Sequence, residues 1–149
     1  MLRKKLMVES RVMNVLGLGT VILTDTPAKD AELFVRHLGF APVAQLDWFV
    51  SLQHVALPGV FLDLMDGAHP AAPEQHRGRR ADAVMIALLV DDATAEAVRL
   101  EANGIVLIKP ITDEPWGQRR FQVAGPAGTV IEIVQRIPPD LDWLAANMP

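Results

Sequence analysis

The sequence predicts an α+β protein made of two tandem βαβββ modules that together form a cup-shaped, mostly antiparallel sheet. Three observations predict it. The order strand, helix, then three strands occurs twice along the chain. Landmarks of the two copies fall at nearly constant offsets: Asp25 and Asp91, Ala31 and Ala97, and the helix-stop glycines Gly39 and Gly104 are 66, 66 and 65 residues apart. The last strands match at an offset of 69, Gly59-Val60-Phe61-Leu62-Asp63-Leu64-Met65 against Gly128-Thr129-Val130-Ile131-Glu132-Ile133-Val134, each a glycine followed four residues later by an acid and an aliphatic residue.

Composition supports a packed protein. Of the 149 residues 50% are apolar and 21% charged, enough for a substantial core and too apolar for disorder. The formal charge of −4 argues against a nucleic-acid partner, which would need a basic surface. With no cysteine there is no disulfide framework, thiolate metal site or cysteine nucleophile. A basic cluster opens the chain, but Glu9 and Arg11 interrupt any signal-type apolar run. The longest apolar run, 83–90, is far too short to span a bilayer. The expectation is a cytoplasmic protein with no membrane contact. Its parts are an N-terminal extension (1–13), a first module (14–66), a connector (67–82), a second module (83–136) and a tail (137–149).

In the first module, residues 16–24 are apolar and β-branched enough for a strand. Thr26-Pro27 then starts a helix, threonine as N-cap and proline at the first helical position. Ala31, Phe34, Val35 and Leu38 recur at helical spacing and predict its buried face, and Gly39 ends it. Strands follow over 40–45, 48–54 and 60–65, with Leu57-Pro58-Gly59 breaking the chain before the last. The connector has no periodicity and contains Pro70 and Pro73, so it reads as a solvated loop. In the second module, residues 83–90 read as a buried strand, and Asp91-Asp92 open a helix that stops at Asn103-Gly104. A strand over 105–111 precedes a hairpin, 119–124 and 129–135, joined by Gly125-Pro126-Ala127-Gly128. Residues 140–148 predict a short terminal helix with Leu141, Leu144 and Ala145 on one face.

The repeat gives Glu132 a counterpart in Asp63. Strand alternation sets Asp63 with Phe61 and Met65, and Glu132 with Val130 and Val134. Modules packed about a rough two-fold axis would turn both acids into one apolar cup. Of Arg119 and Arg120 on one strand, only one enters that cup, to pair with Glu132 or to bind a ligand. His37 at a helix end is structural, His54 is a strand-end histidine at the surface, and His69 and His76 in the connector show no ligand spacing with acids.

The double βαβββ pattern, Arg36-His37-Leu38-Gly39-Phe40, the 113–121 stretch and the Gly125–Ile133 ending resemble the vicinal oxygen chelate superfamily of glyoxalases, bleomycin-resistance proteins and extradiol dioxygenases. The resemblance covers about residues 14–136 and implies the fold more strongly than any activity. In the family's enzymes a divalent metal (Zn, Ni, Mn or Fe) is held by one residue from the first and last strand of each module. The last-strand positions here are Asp63 and Glu132. The first-strand positions, near Gly19 or Thr20 and near Met85, offer no His, Gln or Glu. The resemblance is therefore closer to metal-free members, homodimers that bind aromatic or cationic molecules, and no cofactor is expected. Candidate ligand contacts are Trp48, Phe61, Met85, Trp116 and Arg119, with Asp63 and Glu132 as acidic anchors. Glu132 is also the best catalytic candidate under the alternative, a divalent-metal lyase, isomerase or extradiol dioxygenase with Asp63 and Glu132 as metal ligands. An interaction module without a small-molecule site is the third reading.

Overall fold

The computed structural model describes residues 12–149, so nearly all of the expected extension over 1–13 lies outside the described residues. In chain order the elements are β1 (Leu18–Thr24), α1 (Pro27–His37), β2 (Phe40–Leu46), β3 (Phe49–His54), β4 (Val60–Asp66), β5 (Met85–Leu89), α2 (Ala93–Ala102), β6 (Leu107–Glu114), β7 (Gln118–Ala124), β8 (Val130–Arg136) and α3 (Leu141–Asn147). Each module forms its own four-stranded sheet, ordered β1-β4-β3-β2 and β5-β8-β7-β6. The first strand of each runs parallel to the last, and the other pairings are antiparallel. The edge strands are consequently β1 and β2 in the first sheet and β5 and β6 in the second.

One helix covers one face of each sheet. Pro27 sits in the first turn of α1 as predicted, and Thr26 is the N-cap residue, but its side chain does not cap the helix. Its hydroxyl donates instead to Asp30 Oδ2 at 3.1 Å, an oxygen that also accepts from Thr24. Ala31, Phe34 and Leu38 are buried, whereas Val35 is 41% exposed. The buried stripe is therefore narrower than the sequence pattern predicts. In α2, Asp92 accepts from the Ala95 N–H at 2.9 Å, and Ala93, Ala97 and Leu100 face the sheet.

The apolar residues beneath the helices form one cluster spanning both modules, with Phe34, Leu52, Leu64, Phe121, Val123 and Ile131 fully enclosed. Each such side chain contributes roughly 1.5–3 kcal/mol by leaving water. The modules are also tied by Arg99 Nη2, which donates to the His37 carbonyl at 2.7 Å.

Two sequence expectations are corrected. The run over 83–90 is not buried throughout: Met85 is 52% and Leu89 61% exposed. β5 is an edge strand, so Ile86 and Leu88 meet the core while the alternate residues face outward. The strand predicted over 105–111 lies at Leu107–Glu114, because its pairing with β7 continues to Asp113↔Arg119 and Glu114↔Gln118.

Candidate functional site

The geometry around Glu132 begins at the hairpin turn. Ala127 (φ 52°) and Gly128 (φ 85°) lie in the left-handed region, and the Thr129 hydroxyl donates to the Pro126 carbonyl at 2.6 Å. The resulting register sets Gln122 opposite Glu132 and Arg120 opposite Val134. Gln118, Arg120 and Gln122 thus share the helix-free face with Glu132, while Phe121 and Val123 enter the core.

On that face the charges close on one another. Glu132 Oε1 accepts from Arg120 Nη1 at 2.5 Å and from Gln122 Nε2 at 3.0 Å. Arg120 also donates to Glu114 Oε1, from Nε at 3.0 Å and from Nη2 at 2.9 Å. Lys109 Nζ lies 4.0 Å from the same Glu114 oxygen. Burial alone pushes the Glu132 carboxyl upward, but the hydrogen bonds from Gln122 and Arg120, with the charges of Arg120 and Lys109, outweigh it and hold it below the usual carboxylate range. The bond to Glu132 in turn keeps Arg120 firmly cationic. Arg119 lies on the other side of the strand and grips Asp113 through Nε at 2.6 Å and Nη2 at 2.9 Å.

Asp63 occupies the matching face of the first sheet but has a different environment. Its cross-strand neighbours are Val21 on β1 and Ser51 on β3. Oδ1 is buried and, among the described residues, accepts no hydrogen bond. Oδ2 points toward Gly19, where an added Cβ would find only this oxygen and the Phe61 Cβ, at 3.9 and 4.0 Å. A buried carboxylate oxygen with no donor is an acceptor awaiting one.

The apolar candidates divide between the modules. Phe61 lies two residues before Asp63 on the same face, half-buried. Trp48, in the β2–β3 turn, stacks on His69 with ring centroids 3.7 Å apart and planes at 3°. Met85 projects from the β5 edge. Trp116 belongs to the Glu132 group: the Arg120 guanidinium lies 5.7 Å from its ring centroid, and Nε1 donates to Gln118 Oε1 at 2.8 Å. Trp143 of α3 packs 5.8 Å from Trp116. The tail is pinned there by Ile137 N–H to the Gly117 carbonyl and Asp140 N–H to the Pro115 carbonyl, at 3.0 and 2.9 Å. Asp63 and Glu132 sit on separate sheets, and none of the five cavities of about 310–440 Å³ described along the chain is lined by either.

The sequence expectation of Arg119 as the contact beside Glu132 is corrected: Arg119 turns to Asp113 and Arg120 takes that place, while Gln122, Glu114 and Trp143 were passed over. The signal for Arg120 and Gln122 was present, whereas Glu114 arrives from β6. A tight turn over 125–128 pairs 124 with 130 and 122 with 132, which puts even-numbered β7 residues beside Glu132. Trp143 had no such signal, because its position depends on where the tail docks.

A family model described as Glyoxalase/Bleomycin resistance protein/Dioxygenase superfamily matches residues 18–133. The chain belongs to this superfamily. Among solved structures it is similar to a glyoxalase/bleomycin resistance protein/dioxygenase from Nocardioides, at 22% identity over 91% of this chain and 92% of that one, with a TM-score of 0.69. A superfamily member from Sphaerobacter thermophilus DSM 20745 shares 24% identity over 84% of this chain and 100% of its own, TM-score 0.65. TnmS3, an antibiotic binding protein from Streptomyces sp. CB03234, shares 21% over 84% and 97%, TM-score 0.63. At these identities the likeness concerns the fold. No curated protein matches the chain.

The divalent metal that the superfamily resemblance implies for enzymes finds a poor donor set here. Gly19 and Val21 flank Asp63, and Met85 and Ala87 flank Glu132, on the facing first strands. Glu132 is already bound to Arg120. Among the described residues no group of three or more His, Cys, Asp or Glu side chains is placed to hold a metal, whereas such sites take three or four protein ligands.

Proposed function

We propose that the protein binds a small aromatic or cationic molecule without a metal, as a homodimer whose subunits complete each other's cups. The carrying observation is the inequality of the two acids: Glu132 is neutralised by Arg120 and hydrogen-bonded by Gln122, and among the described residues Asp63 Oδ1 has no partner. An ammonium or amidinium of the ligand supplies the donor that Asp63 lacks, in the space left by Gly19. A hydrogen bond to a charged group of this kind contributes about 1.5–3 kcal/mol. Phe61, Met85 and the Trp116 indole supply apolar and aromatic surface. The antibiotic-binding TnmS3 has the same fold, which supports a binding role without fixing the ligand.

The dimer rests on the free edges. Leu18 on β1 and Met85 and Leu89 on β5 are 66%, 52% and 61% exposed. Apolar edges of this kind invite pairing with another chain. A second copy covering them would set the Asp63 face of one subunit against the Glu132 face of the other.

Two measurements on the purified protein test the reading. Elemental analysis should find no stoichiometric Zn, Ni, Mn or Fe, and titration with the planar aromatic cation ethidium should show saturable binding. About one metal ion per chain, with no ethidium binding, would establish the metal-dependent alternative instead.

A further inference from the structure

We propose that the connector carries a separate anion site, in which Arg79 and Arg80 hold the carboxylate, sulfonate or phosphate of a small organic anion whose apolar body rests on β1. A cavity of about 440 Å³ lies between β1 and the start of β5, floored by Val21, Leu23 and Val84 and rimmed by His76, Arg79 and Arg80. That volume is within the usual range for small-molecule sites. No acid lines it. The two arginines also border a neighbouring cavity of about 310 Å³, whose far wall carries Asp25 and Asp30. Asp30 is occupied by the hydroxyls of Thr24 and Thr26.

Among the described residues neither arginine is spent on an ion-pair partner: the ion pairs engage Arg36, Arg99, Arg119, Arg120 and Lys109, and none reaches Arg79 or Arg80. In a protein of net charge −4, two adjacent free guanidinium groups over an apolar floor form a local field of opposite sign, and their planar forks suit oxyanions. Their backbone is fixed rather than trailing. Gly78 turns the chain at φ 71°, the Arg79 N–H donates to the His76 carbonyl at 3.2 Å, and the Ala81 N–H donates to the Ala127 carbonyl at 2.8 Å. The site uses no group that neutralises or anchors at Asp63 or Glu132, so it stands independently of the proposed function.

The test compares two probes with the same apolar body, 8-anilinonaphthalene-1-sulfonate and its neutral analogue N-phenyl-1-naphthylamine, by fluorescence titration. The Arg79→Gln/Arg80→Gln variant should bind the sulfonate about tenfold more weakly, a loss of about 1.4 kcal/mol, and keep its affinity for the neutral probe. Added salt should weaken sulfonate binding in the wild type and have little effect in the variant. Unaltered sulfonate binding in the arginine variant, or an equal loss of both probes, would overturn the assignment.

Discussion

Arg120 holds two carboxylates apart. Its guanidinium lies between Glu114 and Glu132, and the three side chains are 20%, 13% and 12% exposed. Arg120→Ala would leave both largely buried acids facing each other. Breaking a buried pair from one side costs about 3–5 kcal/mol, so urea denaturation should show a loss near 3 kcal/mol at this partly exposed site. The depressed Glu132 carboxyl predicts an acid dependence. Its ordinary value is 4.5 and its folded value lies below. Its contribution is therefore present above pH 4.5 and is lost as pH falls through the folded value. The urea midpoint of Glu132→Gln should change less than that of the wild type on going from pH 5 to pH 3, and parallel profiles would refute this linkage. At this scale the sequence disclosed the two acids through the repeat, but not their inequality. That depends on Arg120 and Gln122 arriving from the neighbouring strand, which needs the hairpin register.

The elements follow from local patterns. Both helices, both hairpin-forming strand pairs and the glycine stops were legible because apolar periodicity and turn residues act over a few positions. The exposure of β5 was not legible. A short apolar run reads alike on a covered strand and on an edge that awaits a partner. Docking of the tail was equally hidden, because it depends on a single turn. Gly117 (φ 101°) ends the loop after Trp116, and a Cβ there would lie 2.9 Å from the Ile137 carbonyl oxygen. Gly117→Ala therefore meets both an unfavourable backbone conformation and a clash, and should lower stability by about 1–2 kcal/mol. It should also loosen α3, with Trp143 moving from Trp116 and the tryptophan emission shifting to the red. An unchanged spectrum would mean that the tail is not held by this turn.

At the scale of the whole molecule, two sheets share a core through their helix-covered faces, and apolar side chains of the β1 and β5 edges, Leu18, Met85 and Leu89, stay exposed within one chain. Sedimentation should find a dimer, and Leu89→Glu on the β5 edge should shift it to monomer and weaken ethidium binding together. A monomeric variant with full affinity would separate the edge from the site. The central claim is that Asp63 is the free charge of the cup and Glu132 is not. Ethidium titration of Asp63→Asn beside Glu132→Gln tests it most directly. The account predicts a loss of about tenfold for Asp63→Asn, near 1.4 kcal/mol, and an affinity within about twofold of wild type for Glu132→Gln. Unaltered binding by Asp63→Asn together with its loss in Glu132→Gln would contradict it.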